Sequence, residues 1–126
     1  MTTRGYPGFN GATFTISGES GNAITVNVQL EENGQAAGNC TGIAYLSSDT
    51  AGDVLEAGAA GLSIAVGTDG LIETVAASGV PVFFFKSESD GDLDVVVTQT
   101  GADTHYLNIV HPDGINVTTS AALTFT

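Results

Sequence analysis

The most charged stretch of the chain is SESDGDLDVVV, Ser87–Val97, in which acidic residues occupy every second position: Glu88, Asp90, Asp92 and Asp94. Carboxylates at alternating loop positions are a ligand pattern for calcium. The glycine and the final glutamate of an EF-hand loop are misplaced here, so that template fails. The pattern favours a hairpin that turns at Asp90-Gly91 and carries Asp92 and Asp94 on its polar face. Weak cation binding at this hairpin stays open.

The same carboxylates could act as the acid and base of a glycosidase, which needs two carboxyl groups about 5–10 Å apart. Alternate strand residues satisfy that distance. No surrounding pattern predicts the pocket that would raise one pKa, and the chain has no Trp to line a sugar site. We therefore do not predict this activity.

Two histidines and one cysteine are the other candidates for catalysis or metal binding. His105 and His111 can share a strand face, and with a carboxylate they could hold zinc. We instead expect His105 at the surface beside Asp103, His111 in a turn, and Cys40 as an idle thiol. No nucleophile–base set and no phosphate- or dinucleotide-binding motif is present. We therefore expect no catalytic residue, no cofactor and no metal.

The charge balance excludes several partner classes. Two basic residues, Arg4 and Lys86, stand against 14 acidic ones, which gives a net charge of −12. Nucleic acids and anionic membranes both require cationic side chains, so we predict neither as a partner. Such a charge suits a protein that faces water or docks on a basic surface.

The elements that must position these residues are short strands. AITVNVQL, Ala23–Leu30, alternates apolar and polar residues as a half-buried strand does. Further strands are predicted at Gly42–Ser48, Leu62–Val66, Leu71–Ala76, Val80–Ser87, Asp92–Thr100, Thr104–Val110, Ile115–Thr119 and Ala122–Thr126. Asp-Gly pairs at 69–70, 90–91 and 113–114 predict type I′ hairpin turns. Short strands with frequent turns indicate a sandwich or a barrel.

The first residues differ from the rest of the chain. Its 126 residues fit one domain, and we interpret Met1–Gly11 as an N-terminal arm ahead of a domain at 12–126. The arm and its flank hold one basic and three aromatic residues, which we predict as the partner-binding set: Arg4, Tyr6, Phe9 and Phe14. Such an arm could add a strand to a neighbour or fill a groove.

Several segments together resemble a known family. Tyr106 follows a Gly/Asp turn, as does the tyrosine corner of Greek-key sandwiches. With AYLSSDTAGDVL, AVGTDGLIETV, SESDGDLDVVVTQTGADTHYLNIVHPDG and ALTFT, the chain from about Ala23 to Thr126 resembles immunoglobulin-like domains of tailed-bacteriophage virion proteins. The resemblance implies an all-β fold, a single immunoglobulin-like Greek-key β-sandwich. The two cysteines and the Trp of antibody domains are missing, so the kinship is architectural.

The resemblance also implies a role. The chain is similar to a capsid decoration, or cement, protein: a non-enzymatic structural protein that binds and stabilises the outer surface of the phage head. Its implied partners are the major capsid protein and further copies around a capsid symmetry axis. MTTRGYPGFNG lacks the apolar core of a signal peptide, so we expect synthesis in the bacterial cytoplasm. The alternative is a tail- or fibre-associated module that binds a cell-surface glycan or another virion protein through an outward ring of Phe83–Phe85.

Overall fold

The fold, seen in a computed structural model, is built of strands and turns. The structure describes residues 8–56, 61–74 and 81–126. Within them no helix is formed, and hence none that could span a membrane. The strands are β1 Gly11–Ile16, β2 Ala23–Glu32, β3 Gln35–Ala36, β4 Thr41–Ser47, β5 Leu62–Val66, β6 Leu71–Thr74, β7 Val82–Lys86, β8 Asp92–Gln99, β9 Asp103–Val110, β10 Val117–Thr119 and β11 Leu123–Phe125. The predicted all-β class is confirmed.

Two antiparallel sheets pack face to face as a sandwich. Sheet A has the order β1-β2-β8-β5, with β3 also paired to β2. Sheet B has the order β10-β9-β4-β7-β6, with β11 also paired to β9. The central strands alternate as predicted: in β8, Leu93, Val95 and Val97 are buried and the residues between them are half-buried. Burying one such side chain contributes about 1.5–3 kcal/mol relative to leaving it exposed, so the apolar faces hold the sheets together.

The strand order in space is that of a variable-type immunoglobulin sandwich, with one difference along the chain. β1-β2-β8-β5 occupy the A-B-E-D positions, and β10-β9-β4-β7-β6 occupy the G-F-C-C′-C″ positions. Along the chain, β4 is followed by β5, β6 and β7, which occupy the D, C″ and C′ positions. In a variable-type immunoglobulin domain these three positions follow in the order C′, C″, D. Every neighbouring pair is antiparallel in either order, so the same hydrogen-bond ladders result.

The Asp-Gly turns differ from the prediction. Gly70, Gly91 and Gly114 have positive φ, but their aspartates do not, so the type I′ prediction is wrong. Pro112–Gly114 does connect paired strands, β9 and β10. Asp90-Gly91 instead leads from β7 in sheet B to β8 in sheet A. The predicted hairpin there is wrong because both edges of β8 already pair, with β2 and β5.

The N-terminal boundary also differs from the expectation. β1 begins at Gly11 and pairs with β2 along its whole length, and Phe9 is only 4% exposed. Residues 9–11 are therefore part of the domain rather than of an arm ahead of it. Residues 1–7, with Arg4 and Tyr6, lie outside the described part of the chain.

Candidate interaction surface and buried histidine cluster

The outer face of sheet B carries four apolar side chains that are successive cross-strand partners, here called the outer row: Val117, Val110, Ile43 and Phe84. Direct partners on antiparallel strands point to the same face. Val117, Ile43 and Phe84 are 39%, 42% and 51% exposed, and Val110 is half-buried. Contiguous exposed apolar surface on a water-facing sheet is typical of a protein-binding site.

A groove extends the outer row at its β6 end. It has a volume of about 280 Å³ and is lined by Leu71, Ile72, Glu73, Phe84, Phe85 and Lys86. Leu71 is 64% exposed. A wider and more polar groove of about 520 Å³ shares Leu71 and Lys86 and runs to Glu88. The outer row and the grooves together form a continuous surface on one face and end of the sandwich.

Five carboxylates gather where the β5–β6 turn meets the β7–β8 connection, a region called here the acidic corner: Asp69, Glu88, Asp90, Asp92 and Asp94. Burial, and then the charge of Asp69, raises the pKa of Glu88. Burial, and then the charge of Asp90, raises the pKa of Asp92. The negative charge gathered at this corner therefore attracts cationic groups.

The buried histidine cluster is centred on His105, whose side chain is fully enclosed. Nδ1 lies 2.6 Å from Glu56 Oε2, and Nε2 lies 2.9 Å from Gln99 Oε1 and 3.8 Å from Asp103 Oδ2. Gln99 Nε2 donates to the Thr100 carbonyl at 3.0 Å, which turns the amide oxygen toward the imidazole. The predicted surface position of His105 is wrong, because His105 shares one face of β9 with the buried Leu107 and Ile109 and therefore points inward.

Within the described residues, this cluster alone brings together three side chains that could hold a metal ion. One oxygen each of Glu56 and Asp103 and one ring nitrogen of His105 all lie within 4.8 Å of one another. His111 does not join them, since its Nε2 lies 2.6 Å from Thr118 Oγ1. The carboxylates of the acidic corner do not form such a set of three among the described residues. Cation binding at this corner stays a prediction.

Cys40 is buried in the core. Its thiol is 1% exposed and donates to the Ala37 carbonyl at 3.2 Å. Tyr106 lies in β9, where a tyrosine corner would stand, but its hydroxyl makes no backbone hydrogen bond within the described residues. A different tyrosine makes such a bond: the hydroxyl of Tyr45, in β4, donates to the Gly52 carbonyl at 2.7 Å.

Two of the four residues predicted to bind a partner, Phe9 and Phe14, lie in the described part of the chain. Phe9 lies in the core, with its ring 6.2 Å from that of Phe85 and 5.8 Å from that of His111. Phe14 is half-buried and packs against the core. The ring of Phe9 thus fills a site inside the sandwich, and its role in partner binding stays a prediction.

The outer row was only partly visible in the sequence. Alternation along Phe83–Phe85 predicts an outward ring, and Phe84 is that ring, whereas Phe83 and Phe85 are buried. The other members lie on three further strands, and only the pairing register aligns them. No protein-family model, no curated protein and no solved structure matches the chain.

Proposed function

We propose that this chain is a non-enzymatic structural protein that decorates the outside of a tailed-phage head, binding the major capsid protein and stabilising the shell. The exposed outer row on a firmly paired sheet is the observation that carries the proposal. A protein that covers a shell needs such a preformed surface, because little conformational entropy is then lost on binding.

Charge indicates what kind of surface the partner presents. The chain has a net charge of −12, and the acidic corner lies beside the wider groove, which is lined by Glu88. A partner with an apolar centre and basic surroundings would complement both features. Two copies repel each other in solution, so we expect copies to collect around a symmetry axis only once the capsid holds them.

Several features support a non-catalytic role. The thiol of Cys40 and the imidazole of His105 are both enclosed and already bonded. Neither contacts the other or an exposed nucleophile in the described residues. Catalysis by general base and nucleophile requires such a contact and a third group that orients the base. His111 does contact a hydroxyl, with Nε2 2.6 Å from Thr118 Oγ1, but no side chain bonds its other ring nitrogen within the described residues.

Co-sedimentation with isolated phage heads tests the proposal. We expect wild-type protein to saturate the heads at a fixed stoichiometry. Phe84→Ser should weaken binding by about tenfold or more, as loss of a central anchor does. Ile115→Ser is the matched control, because Ile115 is 82% exposed but lies in the β9–β10 turn, outside the outer row. Equal binding by Phe84→Ser and wild type would refute the outer row as the docking site.

Phe84 beside the apolar groove also fits the second candidate, a tail- or fibre-associated module that binds a glycan. An exposed aromatic ring is a usual platform for a sugar. Binding to a glycan array, without binding to heads, would favour this candidate. A blank array together with saturable binding to heads would exclude it.

A further inference from the structure

We propose that His105 anchors a site for a divalent transition-metal ion, which His105 Nε2, Gln99 Oε1 and Asp103 Oδ2 bind while Glu56 holds the ring from its opposite side. This site is separate from the outer row and does not depend on the proposed function. It would serve as a structural clamp at the end of the sandwich where β8 passes into β9.

The distances suit an ion of this kind. Ligand atoms about 2.0–2.1 Å from a tetrahedral zinc ion lie roughly 3.3 Å from one another. Nε2 is 2.9 Å from Gln99 Oε1 and 3.8 Å from Asp103 Oδ2, so the observed separations bracket that value. Small side-chain shifts would admit the ion. The side chain of Asp103 is 40% exposed, which leaves a path for entry and a position for water as fourth ligand.

Glu56 supplies the support that metal-binding histidines usually have. A ligating imidazole commonly donates its other N–H to a carboxylate, which fixes the tautomer and the ring orientation. Nδ1 lies 2.6 Å from Glu56 Oε2, and the Glu56 side chain is only 14% exposed. The ring is further fixed by edge contact with Phe125, at 5.9 Å between centroids. Nε2 is therefore held in place facing the two oxygens.

The electrostatics favour a cation at this point. Both ring nitrogens of His105 face oxygen atoms, and the nearby carboxylates of Glu56 and Asp103 carry negative charge, so the pocket favours a cation. An imidazole donor selects first-row ions such as zinc over calcium or magnesium, which prefer oxygen alone. The donor set thus predicts zinc binding without competition from calcium.

Isothermal titration of the chelator-treated full chain with zinc chloride, paired with thermal unfolding, tests the site. We expect one zinc per chain, a higher Tm with zinc, and no displacement by excess calcium. Asp103→Asn should weaken binding at least tenfold, and Glu56→Gln by about 10–100-fold. Glu73→Gln removes one equal charge from β6, and His111→Gln removes the other histidine; both should bind as wild type does.

His105→Gln could fail to fold because His105 is fully buried, so the exposed Asp103 carries the test. Cobalt(II) gives a second readout, since its visible absorption reports a nitrogen–oxygen site directly and should disappear in Asp103→Asn. Absence of zinc binding, or equal binding by wild type and Asp103→Asn, would overturn the site.

Discussion

Ile43 on β4 and Phe84 on β7 are direct cross-strand partners, and both side chains face solvent. The next pair in the same ladder, Ala44 and Phe83, points to the opposite face and is fully buried. Neighbouring residues of the same two strands thus face the core and the candidate docking surface in turn. Exposure of the first pair leaves apolar surface in water, which supports the binding role proposed for the outer row.

The two adjacent phenylalanines should respond oppositely to truncation. Phe83→Ala is expected to lower the free energy of unfolding by about 3–5 kcal/mol, because it leaves a cavity in the core. Phe84→Ala should change that free energy by about 0.5 kcal/mol or less, since it removes exposed surface. Urea unfolding of the two variants measures both values. A large loss for Phe84→Ala would mean that the outer row stabilises the isolated domain.

Phe9 should behave as a core residue despite its place near the N-terminus. Phe9→Ala is expected to lower the free energy of unfolding by about 3–5 kcal/mol, because its ring packs against Phe85 and His111. Ile115→Ala serves as the control, with an expected change within about 0.5 kcal/mol. Thermal unfolding distinguishes the two. Wild-type stability in Phe9→Ala would restore Phe9 as a free docking residue.

Gly38 is required by a close approach of two backbone segments. A Cβ at this position would lie 1.8 Å from the carbonyl oxygen of Ser89, which cannot move aside as a side chain can. We expect Gly38→Ala to lower stability by about 1–3 kcal/mol or more. At Gly18 a Cβ would meet nothing within 4 Å, so Gly18→Ala should stabilise by about 0.4–1 kcal/mol. Parallel denaturant titrations of both variants check the difference.

The acidic corner predicts an unusual pH dependence. The folded state raises the pKa of Asp92 above 3.8 and that of Glu88 above 4.5, through burial and neighbouring carboxylates. Their ionised forms therefore lower stability at neutral pH, and this loss is relieved as the pH falls through the folded pKa values. We expect Asp92→Asn to raise the urea midpoint at about pH 7 and to have no effect near about pH 3.

Asp113 provides a control of opposite sign. Its carboxylate accepts hydrogen bonds from the backbone N–H groups of Asn116 and Ile115, which lower its pKa below 3.8. That stabilisation is present above the unfolded pKa and is lost as the pH falls through the folded one. Asp113→Asn should therefore lower the urea midpoint at neutral pH. The same sign for both variants would show that net charge, not local geometry, controls the response.

Local patterns predicted nine of the strands, missed β1 and β3, and did not predict how the strands pair. Alternation fixes which face of a strand is apolar, so the inward Leu93, Val95 and Val97 and the outward Phe84 were predictable. Turn chemistry specifies how the chain bends but not which sheet it enters next. The sequence therefore predicts a hairpin at Asp90-Gly91, where the structure has a connection between the two sheets.

The two sites depend on long-range contacts that no local pattern encodes. Phe9 is buried by Phe85 and His111, far along the chain. His105 stands next to polar residues in sequence, and only the meeting of Glu56 with the ends of β8 and β9 gives it partners. The outer row similarly required the register of four strands.

The path of the chain between the sheets has a mechanical consequence. Consecutive described strands change sheet between β3 and β4, β4 and β5, β5 and β6, β7 and β8, and β8 and β9. Neither sheet is expected to separate while the other remains folded, because the described part of the chain crosses between the two sheets five times from β3 to β9. A pulling force is therefore shared among several crossings, and we expect the sandwich to unfold in a single event.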